Sequence, residues 1–127
     1  MVVSGLTLDT GALVGFDRGK RRVVRLIART RERNEPLVVP AGVVGQVWRD
    51  GRRQANLARL LGSSSCAVVA LDDLGARAAG QLCGVAGTAE VIDASVVLCA
   101  RSRHQRVVTS DPDDVHRLEP KIGLVIV

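Results

Sequence analysis

The residues of this chain best suited to chemistry are carboxylates. Asp9, Asp93 and Asp111 stand in three separate parts of the sequence, with Glu90 three residues before Asp93 and with Asp113 and Asp114 close behind Asp111. Each has an ordinary reading alone. Asp9 fits a turn after a strand, Asp93 fits a first-turn charge answering a helix dipole, and Ser110 or Asp111 fits the cap of a short helix. Gathered together they need a different account. Two carboxylates ~4 Å apart repel by roughly 4 kcal/mol at an effective dielectric of about 20. Three such pairs approach ~12 kcal/mol, an upper bound that relaxation or protonation lowers, yet one comparable to the stability of a whole domain. Convergent acids therefore call for a cation. Oxygen-only ligands select Mg²⁺ or Mn²⁺ over zinc, and such ions polarise a phosphate and activate a water for in-line attack.

The elements around these acids say whether they can meet. Leu6-Thr7-Leu8 is a short apolar run ending at Asp9 and reads as a first buried strand. A short helix over Thr10 to Phe16 follows, then a basic amphipathic helix over Lys20 to Arg33 with Val23, Val24 and Ile27 on its inner face. Leu37-Val38-Val39 reads as a second strand stopped by Pro40, and Ala41 to Asp50 and Arg53 to Leu61 as helices parted by Gly51. Ala67 to Leu71 is a third strand, after which Asp72 caps a helix running to about Val85. Glu90 to Arg103 is a further helix, Arg106 to Thr109 a fourth strand and Leu124 to Val127 a fifth. No strand pair carries a two-residue hairpin signal. Strands that are apolar runs alternating with helices predict an α/β fold with a mostly parallel five-stranded sheet covered on both faces. In such sheets ligands sit beyond the carboxyl ends of the strands. Asp9 and Asp111 follow strands one and four directly, and Glu90 and Asp93 share a face at the start of the preceding helix.

The chain has 127 residues, the size of one domain spanning 1–127, and 46% are hydrophobic. Phe16 and Trp48 are its two aromatic residues, which argues against a single-strand binder built on stacking platforms. The longest uncharged stretch, Pro36 to Trp48, is 13 residues and is broken by Pro and Gly, so no membrane span is expected. The N-terminus lacks the order of a signal peptide, so a cytoplasmic protein is expected. Cys66, Cys83 and Cys99 are odd in number, lie in apolar settings and have no metal-ligand spacing; they read as buried inert thiols. The net charge of +5 comes from 16 Arg and 2 Lys against 13 acids, a balance that suits a polyanion or an acidic protein, or simply a solvated surface.

At this point the motifs have a familiar order. Leu8-Asp9-Thr10-Gly11-Ala12-Leu13, Val39-Pro40-Ala41, Val47-Trp48-Arg49, Ile92-Asp93-Ala94-Ser95-Val96-Val97 and Val107-Val108-Thr109-Ser110-Asp111-Pro112-Asp113-Asp114 together resemble the PIN-domain family, and most closely the VapC toxins of toxin–antitoxin pairs. The resemblance spans nearly the whole chain. It implies a PIN-like three-layer sandwich and a metal-dependent endoribonuclease, a hydrolase of phosphodiester bonds using one or two Mg²⁺ or Mn²⁺ ions. It implies that Asp9, Asp93 and Asp111 hold the metal, that Asp114 completes or supports the site, and that Thr109 places a hydroxyl beside it. The implied partners are the RNA substrate, a small cognate antitoxin that blocks the site, and a second copy of the chain as a homodimer.

One departure stands out. The family carries a Glu in the helix after strand two, where this chain has Gln46, and no acid occurs between Leu37 and Arg49. Gln offers a carbonyl oxygen without charge. Glu90 either restores the missing charge or is only a first-turn dipole residue. A rival reading is accordingly a catalytically weak or inactive PIN-like module that binds RNA or protein. A phospho-acceptor receiver domain also places acids at strand ends, but needs a paired acidic cluster upstream and a Lys after strand five; Lys121 precedes that strand.

Eight basic residues fall between Arg18 and Arg33, near the acids Asp17 and Glu32. Arg18, Arg22, Arg25 and Arg29 follow helical spacing and suit RNA phosphates, an acidic antitoxin tail, or plain solvent. His104 and His116 read as surface residues, Ser63-Ser64-Ser65 as a turn with no base to serve it, and Leu57, Leu60 and Leu61 as core or as a face for a second subunit.

Overall fold

In a computed structural model, which describes residues 5–127, the chain is an α/β protein. The first four residues of the expected 1–127 domain lie outside the described residues. The strands are β1 (Leu6–Leu8), β2 (Leu37–Pro40), β3 (Cys66–Val69), β4 (Arg106–Thr109) and β5 (Leu124–Ile126). They form one all-parallel sheet in the order β3-β2-β1-β4-β5. The helices are α1 (Thr10–Asp17), α2 (Arg21–Glu32), α3 (Ala41–Val47), α4 (Ala55–Leu61), α5 (Asp73–Ala86), α6 (Val91–Arg103) and α7 (Pro112–Leu118).

The order of the strands is what makes a site. From β1 the chain moves outward through β2 to β3, then returns past β1 to place β4 and β5 on the other side. Parallel crossovers are right-handed, so the two directions of travel put their helices on opposite faces. Accordingly α1 packs with α2, α3 and α4, while α5, α6 and α7 pack with one another. The result is the expected three-layer sandwich. Neighbouring connections part between β1 and β4, which leaves a crevice at their carboxyl ends.

Burial explains the apolar runs. Leu8, Leu13, Ile27, Leu37, Val39, Val97 and Val107 are all buried in one hydrophobic cluster. Each such side chain contributes about 1.5–3 kcal/mol relative to exposure. α6 is the central helix of its layer: it packs on β1, β2 and β4 and buries Ala94, Val96, Val97, Cys99 and Ala100. Small and β-branched residues let it lie close to the strands.

Several boundaries depart from the expectations. α3 stops at Val47 rather than Asp50, and α4 starts at Ala55 rather than Arg53, because Gln54 occupies the gap. Its Oε1 accepts from the backbone N–H of Arg49 at 2.7 Å and of Asp50 at 2.9 Å, and its Nε2 donates to Val47 O at 2.9 Å and Asp17 Oδ2 at 3.0 Å. β3 runs Cys66–Val69 rather than to Leu71, since Val69 pairs with Pro40 and β2 has no residue beyond it to pair with. Pro40 belongs to β2 as its last residue and starts α3. Arg18 caps the end of α1 and so leaves the α2 stripe, and Val24 faces solvent, the inner face of α2 being Val23, Ile27 and Thr30.

Other expectations hold. Asp72 caps α5 by accepting from Gly75 N at 2.7 Å. The three cysteines are free and buried, and burial pushes the Cys66 thiol up to about 11. His104 and His116 are exposed. Ser63 is tied into its turn by donation to Leu60 O at 2.8 Å. Leu57 and Leu60 are core residues. Among the described residues, no single helix is long and apolar enough to cross a membrane.

Candidate functional site

Asp9 is fixed first. It leaves β1 with its N–H bonded to Val108 O at 3.1 Å, and its Oδ1 accepts from Ala12 N at 2.8 Å to cap α1. The residue expected as a turn after the strand is thus also a helix cap, and it does more: it lines a pocket of about 200 Å³. Asp93 enters that pocket from the first turn of α6, and Asp111 and Asp114 from the β4–α7 junction. Carboxylates from three distant segments thus line one hollow at the β1–β4 switch point. The larger hollows are elsewhere; one of about 390 Å³ between the ends of β2–β3 and α5–α6 is apolar and carries no carboxylate.

Thr109 is fully buried at the end of β4. Its Oγ1 accepts from Asp111 N at 2.9 Å, and its side chain also hydrogen-bonds Asp9. It holds two of the acids in relation to each other rather than lining the pocket. Gly11 serves the same junction from the other side. A Cβ there overlaps Ser110 Oγ, so any other residue forces the Ser110 hydroxyl to turn away from its place at the pocket wall.

The charges feel one another. Asp93 is raised from 3.8 to about 6, by burial first and then by the charges of Asp114, Asp9, Glu90 and Asp111. Asp9 is pushed up by burial and by Asp111, against the hydrogen bonds from Thr109, Ala12 and Gly11. Asp111, open to solvent, is raised by its hydrogen bond with the Asp114 side chain, then by the charges of Asp114 and Asp113. Carboxyls that raise each other are at close quarters. Yet among the described residues no three Asp, Glu, His or Cys side chains are drawn together tightly enough to hold a metal ion as they stand. Asp9 for its part is held in place by its cap on α1.

Of the expected site residues, Asp9, Asp93, Asp111 and Asp114 meet in the pocket and Thr109 lies behind it. Glu90 sits outside as the N-terminal cap residue of α6 and reaches Asp93 through charge alone. Asp113 is likewise outside the lining and acts on Asp111. Gln46 is not part of the lining either; its Oε1 accepts a hydrogen bond from the Thr10 hydroxyl. Sequence reasoning missed Thr10 and Ser110 as pocket walls. Their signal was present: each directly follows or precedes an acid at a strand end.

The fold and site together define an α/β protein with an all-parallel five-stranded sheet and an acidic pocket at its switch point. No family model and no curated protein matches the chain.

Proposed function

We propose that this chain is a metal-dependent endoribonuclease of PIN type, acting as the toxin of a VapBC-like pair in the cytoplasm. The observation that carries the reading is the convergence of Asp9, Asp93, Asp111 and Asp114 on one pocket at the carboxyl edge of the sheet. The donor set fits a hard divalent cation, being all oxygen and all anionic. A bound Mg²⁺ or Mn²⁺ supplies neutralisation of phosphodiester charge and polarisation of the scissile bond. The chain's own residues do the rest. Asp9 would contribute a carboxylate oriented by hydrogen bonds from Ala12, Gly11 and Thr109. Asp93 supplies the half-buried carboxyl most in need of a cation. Asp111 and Asp114 close the solvent side, and Thr109 keeps Asp9 and Asp111 in register.

The proposed partners are RNA, a small antitoxin protein and a second copy of the chain. The test of activity is cleavage of single-stranded RNA with and without Mg²⁺ or Mn²⁺. Loss of cleavage on chelation, and a drop of at least about a hundredfold in Asp9→Asn, is expected. Cleavage that survives both belongs to a contaminant or to different chemistry, and ends the proposal.

A second reading has one observation in its favour. Gln46 is engaged with Thr10 and brings no charge, which suits a module that binds without cutting. Gln46→Glu separates the two: a large gain in metal-dependent cleavage identifies an impaired natural site, and no gain places Gln46 outside the chemistry.

A further inference from the structure

The sheet ends at β5, and beside that edge α2 lays down a row of arginines. Arg21, Arg22, Arg25 and Arg29 line a groove of about 430 Å³ whose floor is Leu26 with Val125 of β5 and Val127 just beyond it, the strand ending at Ile126 rather than at the expected Val127. All four arginines are exposed. None of them takes part in an ion pair among the described residues, where the ion pairs belong to Arg53, Arg77 and Arg101. Four uncompensated guanidiniums in one short groove repel each other and attract a polyanion.

Position makes the occupant more specific. Val127 at the end of this groove donates its N–H to Thr109 O at 2.9 Å. Thr109 in turn holds Asp9 and Asp111. The segment that floors the groove is therefore hydrogen-bonded to the end of β4, the strand that leads into Asp111, one strand spacing of ~4.8 Å away. From Arg22 to Arg29 the helix rises ~10 Å, the length of about three nucleotides of a stacked strand at about 3.4 Å each. The groove has no aromatic wall, so it grips phosphates rather than stacking bases. Guanidinium forks match phosphate oxygens in pairs.

We infer that the α2–β5 groove is a phosphate track that holds the backbone of single-stranded RNA and leads it to the acidic pocket. The identity of the strand rests on the ribonuclease reading; the track itself rests on the arginines and their place beside Thr109. It needs neither metal nor cleavage, which separates its test from that of the nuclease.

The experiment is fluorescence anisotropy of a labelled single-stranded RNA with the full chain in EDTA, over about 50 to 300 mM salt. Wild type is compared with Arg25→Gln/Arg29→Gln and with Arg52→Gln/Arg53→Gln, which removes the same charge elsewhere. All these side chains are exposed, and unchanged thermal midpoints check folding. The groove variant is expected to lose about tenfold or more in affinity for any sequence, and its slope of log K against log salt to shrink by about 1.4, two phosphates at ~0.7 each. The control pair is expected to keep the wild-type slope. Equal affinity and slope in the groove variant and wild type overturn the track while leaving the nuclease intact. RNA binding with the expected slope but without cleavage in Mg²⁺ or Mn²⁺ upholds the track and overturns the nuclease. Capture of a poly-glutamate peptide with no binding of RNA overturns the track in favour of an acidic protein partner.

Discussion

At the scale of the residue, Asp93 is the most informative side chain. Its folded-state pKa of about 6 lies above the ordinary 3.8, so the folded protein holds this proton more tightly than the unfolded chain. The stability it contributes is complete below about pH 4 and is lost as pH rises through about 6. Asp9 and Asp111, also raised, push in the same direction. In EDTA, then, Asp93→Asn is expected to gain on wild type in thermal midpoint as pH goes from about 4 to 7. A gap that stays constant across that range shows that neither burial nor the neighbouring carboxylates raise Asp93. Divalent cation works oppositely, by favouring the ionised carboxylates. On the proposed metal-binding reading, Mg²⁺ or Mn²⁺ at about a hundred times its dissociation constant would stabilise by about 2.7 kcal/mol. The gain is expected at pH 7 and is expected to vanish near pH 4.5 and in Asp93→Asn.

At the scale of the element, single side chains set how the helices are joined and how the pocket wall closes. Gln54 fills the gap between α3 and α4 and meets four backbone or side-chain partners from a buried position. Gln54→Ala leaves those groups unpaired and is expected to cost about 2–3 kcal/mol, read from urea unfolding; a loss under about 0.5 kcal/mol means that water replaces it freely. Gly11 is a different case. Its new Cβ meets a Ser110 side chain that can turn away, so Gly11→Ala is expected to change stability little. It displaces Ser110 at the pocket wall, and a weaker response to Mg²⁺ in thermal shift is the expected signature. A large stability loss with unchanged metal response reverses that assignment.

At the scale of the whole molecule, the net charge of +5 contains two opposed fields. The acidic pocket lies at the β1–β4 crevice, and the arginine groove lies one strand away at the edge of the sheet. On the proposed ribonuclease reading, the basic surface would draw in a polyanion while the acids hold a cation. That reading expects kcat/KM on RNA to fall with added monovalent salt at saturating Mg²⁺. A flat profile removes long-range attraction from the account.

What the sequence determined by itself was whatever local chemistry governs. Apolar runs such as Leu6–Leu8 and Val107–Val108 are strands because they are buried on both faces, and Asp72 caps α5 because its carboxyl reaches a free N–H three residues on. The parallel sheet followed from strands that alternate with helices, and with it the placing of Asp9 and Asp111 at one edge. Tertiary structure decided what depends on partners far along the chain. Pairing with Pro40 set the end of β3, Gln54 set the ends of α3 and α4, and the register of α6 decided that Asp93 enters the pocket while Glu90 stays outside. It also placed β5 beside α2, which turned a helical stripe of arginines into a groove. Such choices are invisible to spacing because the free energy that makes them lies in contacts between segments, and those segments are neighbours only once the sheet has closed.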